Sequence, residues 1–154
     1  MKLKKTILLE IKRQFESSLR PKRKRSNYSK NNLTPERKLW NELKRNTSKI
    51  TWTRLENFAG IGTPDLLGYA NNRHFFTVEL KVTKSNSVRF SPHQIAFHIS
   101  HPNNSYILIR SLGQRSLKLF PGSLVRELAS SGFKTRGSLA CSFDACLSVW
   151  LACK

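Results

Sequence analysis

The stretch GTPDLLGYANNRHFFTVELK, from Gly62 to Lys81, constrains this chain more than any other. It sets two short apolar segments, DLLGYA and HFFTVELKVTK, on either side of the turn signal NNR. Segments with this side-chain pattern read as strands, and a connection of hairpin length makes them antiparallel neighbours. Two of the chain's nine acidic residues, Asp65 and Glu79, lie inside this hairpin. A carboxylate in an apolar strand is costly to bury unless a cationic group shares its site. Glu79 and Lys81 are two apart on one strand, so their side chains leave the same face. Asp65 opens the neighbouring strand, so both carboxylates can converge at one end of a sheet with the lysine beside them.

The rest of the chain sorts around this hairpin. Thr34 is a good N-cap and Pro35 suits the first helical position, which predicts a helix over residues 35–46 with Leu39, Trp40 and Leu43 on its apolar stripe. KITWTRLENF alternates as a strand, and AGIGTP is a loop signal. Ser91-Pro92 caps a helix over SPHQIAFHISH, SYILIRS and SLKLF read as strands, and PGSLVRELASSGF closes as a helix with Gly132 as its C-cap signal. The predicted fold is α/β, a central mixed sheet flanked by helices in the order α-β-β-β-α-β-β-α. Residues 34–133 form the expected domain. The segment from Lys134 to the end alternates small and apolar residues without a period that places it.

The chain has 28 basic residues against nine acidic ones, a net charge of +19 over 154 residues. That excess points to a polyanionic partner, nucleic acid before an anionic membrane. No stretch is long enough to span a bilayer. The start MKLKKTILLEIK has the basic flank of a signal peptide, but Glu10 interrupts its apolar run after Leu9, which argues against secretion. Ile7, Leu8, Ile11, Phe15 and Leu19 recur at helical spacing, and residues 20–31, RPKRKRSNYSKN, read as a basic arm. Cys141, Cys146 and Cys153 are odd in number and confined to the tail. They suggest reduced thiols rather than a disulfide framework or zinc site.

Two carboxylates at one sheet end repel each other and would raise one pKa. A hard divalent cation with oxygen ligands removes the conflict. Magnesium fits, since it accepts one or two carboxylates and fills its shell with water and phosphate oxygens. Lysine can stabilise negative charge developing at phosphorus, or orient an attacking water. A structural ion pair on a sheet is the alternative for Asp65, Glu79 and Lys81. His93, His98 and His101 fall on or near one helix, without a carboxylate or cysteine to complete a metal site; His98 reads as a core or rim histidine. GIGTPD lacks the ending of a P-loop, and its small residues suggest close backbone approach to a metal or to DNA.

Pro64-Asp65 followed by Glu79-Leu80-Lys81 resembles the PD-(D/E)XK nuclease superfamily. GIGTPDLLGY is similar to the entry and strand of its virus-type replication-repair and Holliday junction resolvase branches. FTVELK is similar to their catalytic strand, and FSPHQIAFH to the helix that follows. The resemblance covers residues 34–131. It implies Asp65 and Glu79 as metal ligands, the Leu80 carbonyl as a third, Lys81 as the catalytic lysine, and Gln94 positioning water or phosphate. Glu36 matches a first-helix glutamate that many members direct at the metal; a first-turn carboxylate favoured by the helix dipole is its alternative. A solvated helix residue is the alternative for Gln94.

The resemblance implies a magnesium-dependent DNA endonuclease, with manganese able to substitute, that leaves 5′-phosphate and 3′-hydroxyl ends. A structure-selective enzyme for branched DNA or repair suits a small basic chain, and a site-specific homing or restriction-type enzyme is the alternative. A basic nucleic-acid-binding protein without catalysis is a third reading. DNA contacts are expected from Lys22, Arg23, Lys24 and Arg25 in the arm, and from Lys84 and Arg89 just past the catalytic strand. Lys30, Arg37, Lys38, Lys44 and Arg45 are further candidates. A cytoplasmic, DNA-associated homodimer or higher oligomer, phage-like in motif style, completes the expectation.

Overall fold

The structure, a computed structural model, describes residues 33–55, 61–71 and 73–152. The helix expected between Ile7 and Leu19, the arm with Lys22, Arg23, Lys24 and Arg25, and also Lys30 and Cys153, lie outside the described residues.

Helix α1, Pro35–Asn46, starts where the capping signal falls. The Thr34 hydroxyl accepts the Arg37 N–H at 3.3 Å, and Pro35 sits in the first turn. Strands β1, Ile50–Arg54, β2, Leu66–Ala70, and β3, His74–Thr83, follow as an antiparallel meander. Helix α2, Pro92–Ser100, carries the chain to β4, Ser105–Ser111, which runs parallel to β3. Strand β5, Ser116–Pro121, returns antiparallel at the edge. The sheet order is β1-β2-β3-β4-β5, so β3 is central. A parallel pair needs a crossover, and α2 is that crossover. The mixed sheet and the order of its elements are those expected from the sequence.

Register decides which face each side chain serves. Leu66 lies opposite Val78 and Gly68 opposite Phe76, while Leu67 lies opposite Thr77 and Tyr69 opposite Phe75. The first set belongs to a core under α1, where Leu39 and Leu43 pack with Leu66, Phe76, Val78 and Leu80. The second face of β4 and β5, with Ile107, Ile109 and Phe120, is covered by Val125, Leu128 and Phe133.

Two parts of the chain differ from their sequence pattern. Pro121 belongs to β5, opposite Tyr106, and helix α3 runs only from Val125 to Ser131, between short 3-10 turns at Gly122–Leu124 and Gly132–Lys134. The edge position of β5 lets proline close the strand. Residues 135–152 are structured. Leu119 and Ala140 form a β-bridge, and helix α4, Phe143–Ala152, buries Cys146 and Trp150 in the first core. Trp150 stands 5.3 Å from Trp52 and 5.2 Å from Phe76, ring centre to ring centre. Such aromatic pairs add to the area they bury. Helix α4 is apolar on nearly every side, which hides the 3.6-residue period that would mark it.

Candidate active site

The central strand brings a carboxylate into the interior. Glu79 is 2% exposed, flanked on β3 by the buried Val78 and Leu80. Its Oε1 takes the Lys81 ammonium at 2.9 Å and a short hydrogen bond from Gln94 Nε2. Its Oε2 is buried and has no hydrogen-bond partner among the described residues. An unpartnered buried carboxylate oxygen is costly, and native proteins keep such atoms for a reason.

Asp65 enters from the loop before β2. Its backbone carbonyl accepts the Leu55 N–H at 2.9 Å, and its Oδ2 accepts the Leu80 N–H at 2.8 Å. The carboxylate is thereby tied to the β3 backbone between Glu79 and Lys81. Burial pushes the Asp65 carboxyl above its ordinary 3.8, against the Leu80 N–H, Lys81 and Arg54; Glu36 adds to the rise. Burial, followed by repulsion from Asp65, pushes Glu79 from 4.5 to about 7 despite the pull of Lys81. Desolvation is thus the larger cause of the rise at both groups, and the expected repulsion between the two carboxylates acts at Glu79 as the second cause.

Gln94 joins Glu79 and Lys81 to the helix. It is the third residue of α2, and its Oε1 accepts from both the Ser91 N–H and Lys81 Nζ, each at 3.0 Å. Ser91 Oγ in turn accepts the Gln94 N–H at 3.2 Å, which completes a capping box. One amide thus caps the helix, holds the lysine and donates to the glutamate. Two donors on Oε1 and a carboxylate at Nε2 leave that amide a single sensible orientation. The Lys81 ammonium also lies 5.2 Å from the centre of the Phe90 ring, a cation–π contact.

A polar cleft of about 370 Å³ opens beside Lys81, lined among others by Glu36, Thr83, Lys84, Ser87 and Arg89. Glu36, Lys84 and Arg89, far apart in sequence, thus meet at one place. Arg37, Lys38, Lys44 and Arg45 are exposed along α1 and do not line this cleft.

Other expectations come out differently. Gly62 does make a close backbone approach, but to the helix. A Cβ there would stand 2.5 Å from the His93 carbonyl carbon, and its φ of +91° also favours glycine. Gly62 thereby seats the loop before Asp65 on the first turn of α2. His93 and His101 are exposed, whereas His98 is fully buried with Nδ1 2.6 Å from Ser105 Oγ. Burial, with smaller contributions from Lys81 and His101, pushes His98 down to about 4. His98 is a neutral core histidine at ordinary pH.

A divalent cation fits this donor set. Glu79 Oε2 has no hydrogen-bond partner among the described residues, and Asp65 stands close enough to raise the Glu79 pKa. Among the described residues no group of three His, Cys, Asp or Glu side chains gathers. Sequence reasoning missed Phe90 and Arg54 here. Phe90 lies next to the helix cap, but nothing in its neighbours announces a cation over its ring.

No family model matches the chain, and no curated protein matches it. Among solved structures it is similar to Hjc, a Holliday junction resolvase from the archaeal hyperthermophile Archaeoglobus fulgidus. That likeness has a TM-score of 0.41 and 20% identity, covering 56% of this chain and 72% of the other. At that level it carries no weight in the functional reading, which rests on the side chains around Glu79.

Proposed function

We propose that this chain is a magnesium-dependent DNA endonuclease of the PD-(D/E)XK type that hydrolyses phosphodiester bonds and selects branched DNA by shape. The observation that carries the reading is the buried Glu79, with one oxygen fixed by Lys81 and Gln94 and the other without a partner among the described residues. A basic protein that only binds DNA gains nothing from burying such a carboxylate on its central strand.

Asp65, Glu79 and the Leu80 carbonyl would hold the cation, which would supply charge neutralisation at the phosphoryl oxygens. Lys81, its side chain 19% exposed at the cleft, presents an ammonium where negative charge develops at phosphorus or where a water must be oriented. Gln94 keeps the lysine and glutamate in register and leaves neither free to swing. Glu36, exposed in the first turn of α1, faces the same cleft and adds negative charge on the Asp65 side. Lys84 and Arg89 supply cations for the DNA backbone. The net charge of +19 supplies the long-range attraction.

The test is incubation of the full chain and magnesium with linear duplex, single-stranded, flap and four-way-junction DNA, followed by mapping of the cuts. Preferential cleavage of junctions is expected. Cleavage at one rare duplex sequence would instead favour a site-specific enzyme, and no cleavage with magnesium or manganese on any form would sink the enzymatic reading.

A further inference from the structure

The wall of the cleft beside Lys81 is the loop of residues 84–90, and it is fixed before any ligand arrives. At its start the Leu112 N–H donates to the Thr83 carbonyl at 2.8 Å, and Gly113 lies against the Lys84 carbonyl, 2.5 Å from where a Cβ would stand. Within it, Thr83 Oγ1 accepts the Ser85 N–H at 3.2 Å and donates to the Ser87 carbonyl at 2.8 Å. Toward its end Val88 is buried in the second core.

Its centre is held by Asn86. The Asn86 carbonyl accepts the Phe133 N–H at 2.7 Å, its Nδ2 donates to the Ser131 carbonyl at 2.7 Å, and its Oδ1 accepts the Lys134 N–H at 2.8 Å. Gly132 makes the approach possible. Its φ is +69°, and a Cβ there would stand 2.0 Å from the Asn86 carbonyl oxygen. Asn86 therefore ties the loop to the end of α3 through both its backbone and its side chain. Lys84 and Arg89 stand on either side of this tie, and together with Lys81 they give the cleft three cations against the carboxylate of Glu36.

We propose that this cleft is a preorganised seat for a second phosphate of the DNA strand being cut, and that Asn86 is its positioning residue. The inference rests on the nuclease reading above. Long basic side chains on a free loop would have to be ordered on binding, at a cost in affinity. A loop clamped at 131–134 sets their anchor points in advance. Asn86 touches neither Glu79 nor Lys81, so its effect falls on substrate binding and not on the chemical step.

The experiment measures two quantities on the full chain: the salt dependence of duplex binding without divalent metal, and the steady-state constants with magnesium. Each lost phosphate contact lowers the slope of log affinity against log salt by about 0.9. Asn86→Ala should lower the slope by between one and two contacts, as the Lys84→Ala, Arg89→Ala pair does. It should raise KM about tenfold and keep kcat within about threefold. Asn86→Asp, which keeps the acceptor for the Lys134 N–H and loses the donor to Ser131, should fall between Asn86→Ala and the wild type. A loss of thermal stability with slope and KM unchanged would overturn the proposal, as would a kcat that falls as far as kcat/KM. If Asn86→Ala fails to fold, Asn86→Asp and the Lys84, Arg89 pair decide, and an unchanged slope in both overturns it. A wild type that cuts no DNA removes the nuclease reading, and the slopes still show whether the cleft takes a phosphate.

Discussion

Strand β3 has two faces with opposite chemistry. Phe76, Val78 and Leu80 enter the core under α1 and α4, where Trp52, Phe76 and Trp150 stack and cross at 5.2 to 5.6 Å. One residue out of step, Glu79 and Lys81 turn to the other face and meet Gln94 from α2. The strand period of two separates the two environments by a single peptide. The apolar face supplies stability, and it does so next to a carboxylate that lowers it. A scaffold that buries this much aromatic surface can carry an unpartnered carboxylate oxygen, and the strain of the site is tolerable only because the opposite face is complete.

That contrast can be broken from either side. The largest effect on stability is expected on the apolar face. Trp150→Ala should destabilise the protein by about 3–5 kcal/mol, the range for a large buried side chain cut to alanine. Urea unfolding would measure it, and a cost below 1 kcal/mol would mean that α4 is not part of the core. Lys81→Ala should lower kcat about 10²–10³-fold, the effect of removing a group that stabilises developing charge. Single-turnover cleavage of the preferred DNA form is the readout, and unchanged turnover would remove Lys81 from the chemistry.

Glu79→Gln should abolish cleavage and, on the same face, stabilise the metal-free protein. The folded state holds the Glu79 proton up to about 7, against 4.5 when unfolded. Stability from this group is therefore complete below 4.5 and is lost as pH rises through about 7. At pH 8 the ionised carboxyl costs on the order of 3 kcal/mol, which Gln does not. Thermal melts of both proteins at pH 5 and pH 8, without metal, should diverge far more at the higher pH; equal gaps at both would count against a raised Glu79. His98 acts in the opposite sense, since its folded pKa of about 4 lies below 6.5 and its contribution is lost as pH falls through 4. The smallest effect is expected from Trp150→Phe. The indole N–H is buried without a partner among the described residues, so its loss forfeits no hydrogen bond seen there and the change should cost less than about 1.5 kcal/mol. A cost as large as that of alanine would show that the N–H is satisfied after all.

Much of the fold was legible because its signals are local. The cap at Thr34, the turn after Ala70 and the Ser91-Pro92 start each depend on a few neighbouring residues. Asp65, Glu79 and Lys81 were legible for the same reason, since a carboxylate and a lysine two apart on a strand must share a face. Gln94 was expected near them, but its triple bonding was not, because it depends on where α2 lies over the sheet. Asn86 left no signal at all. Its partners are Ser131, Phe133 and Lys134, some 45 residues away, and a lone asparagine in a serine-rich loop reads as a turn residue. Helix α4 was hidden by its near-uniform apolarity.

The amino-acid sequence by itself determined the elements before Lys134 and their order, the chemistry present on β3 and the excess of positive charge. Each follows from periodicity, capping or composition, which act over a few residues or over the whole chain at once. Only the tertiary structure decided that Glu79 keeps one oxygen unpartnered, that Gly62 serves the helix and that Asn86 holds the basic loop. Those are contacts between segments distant in the chain, and they exist only once packing has fixed the distances between them.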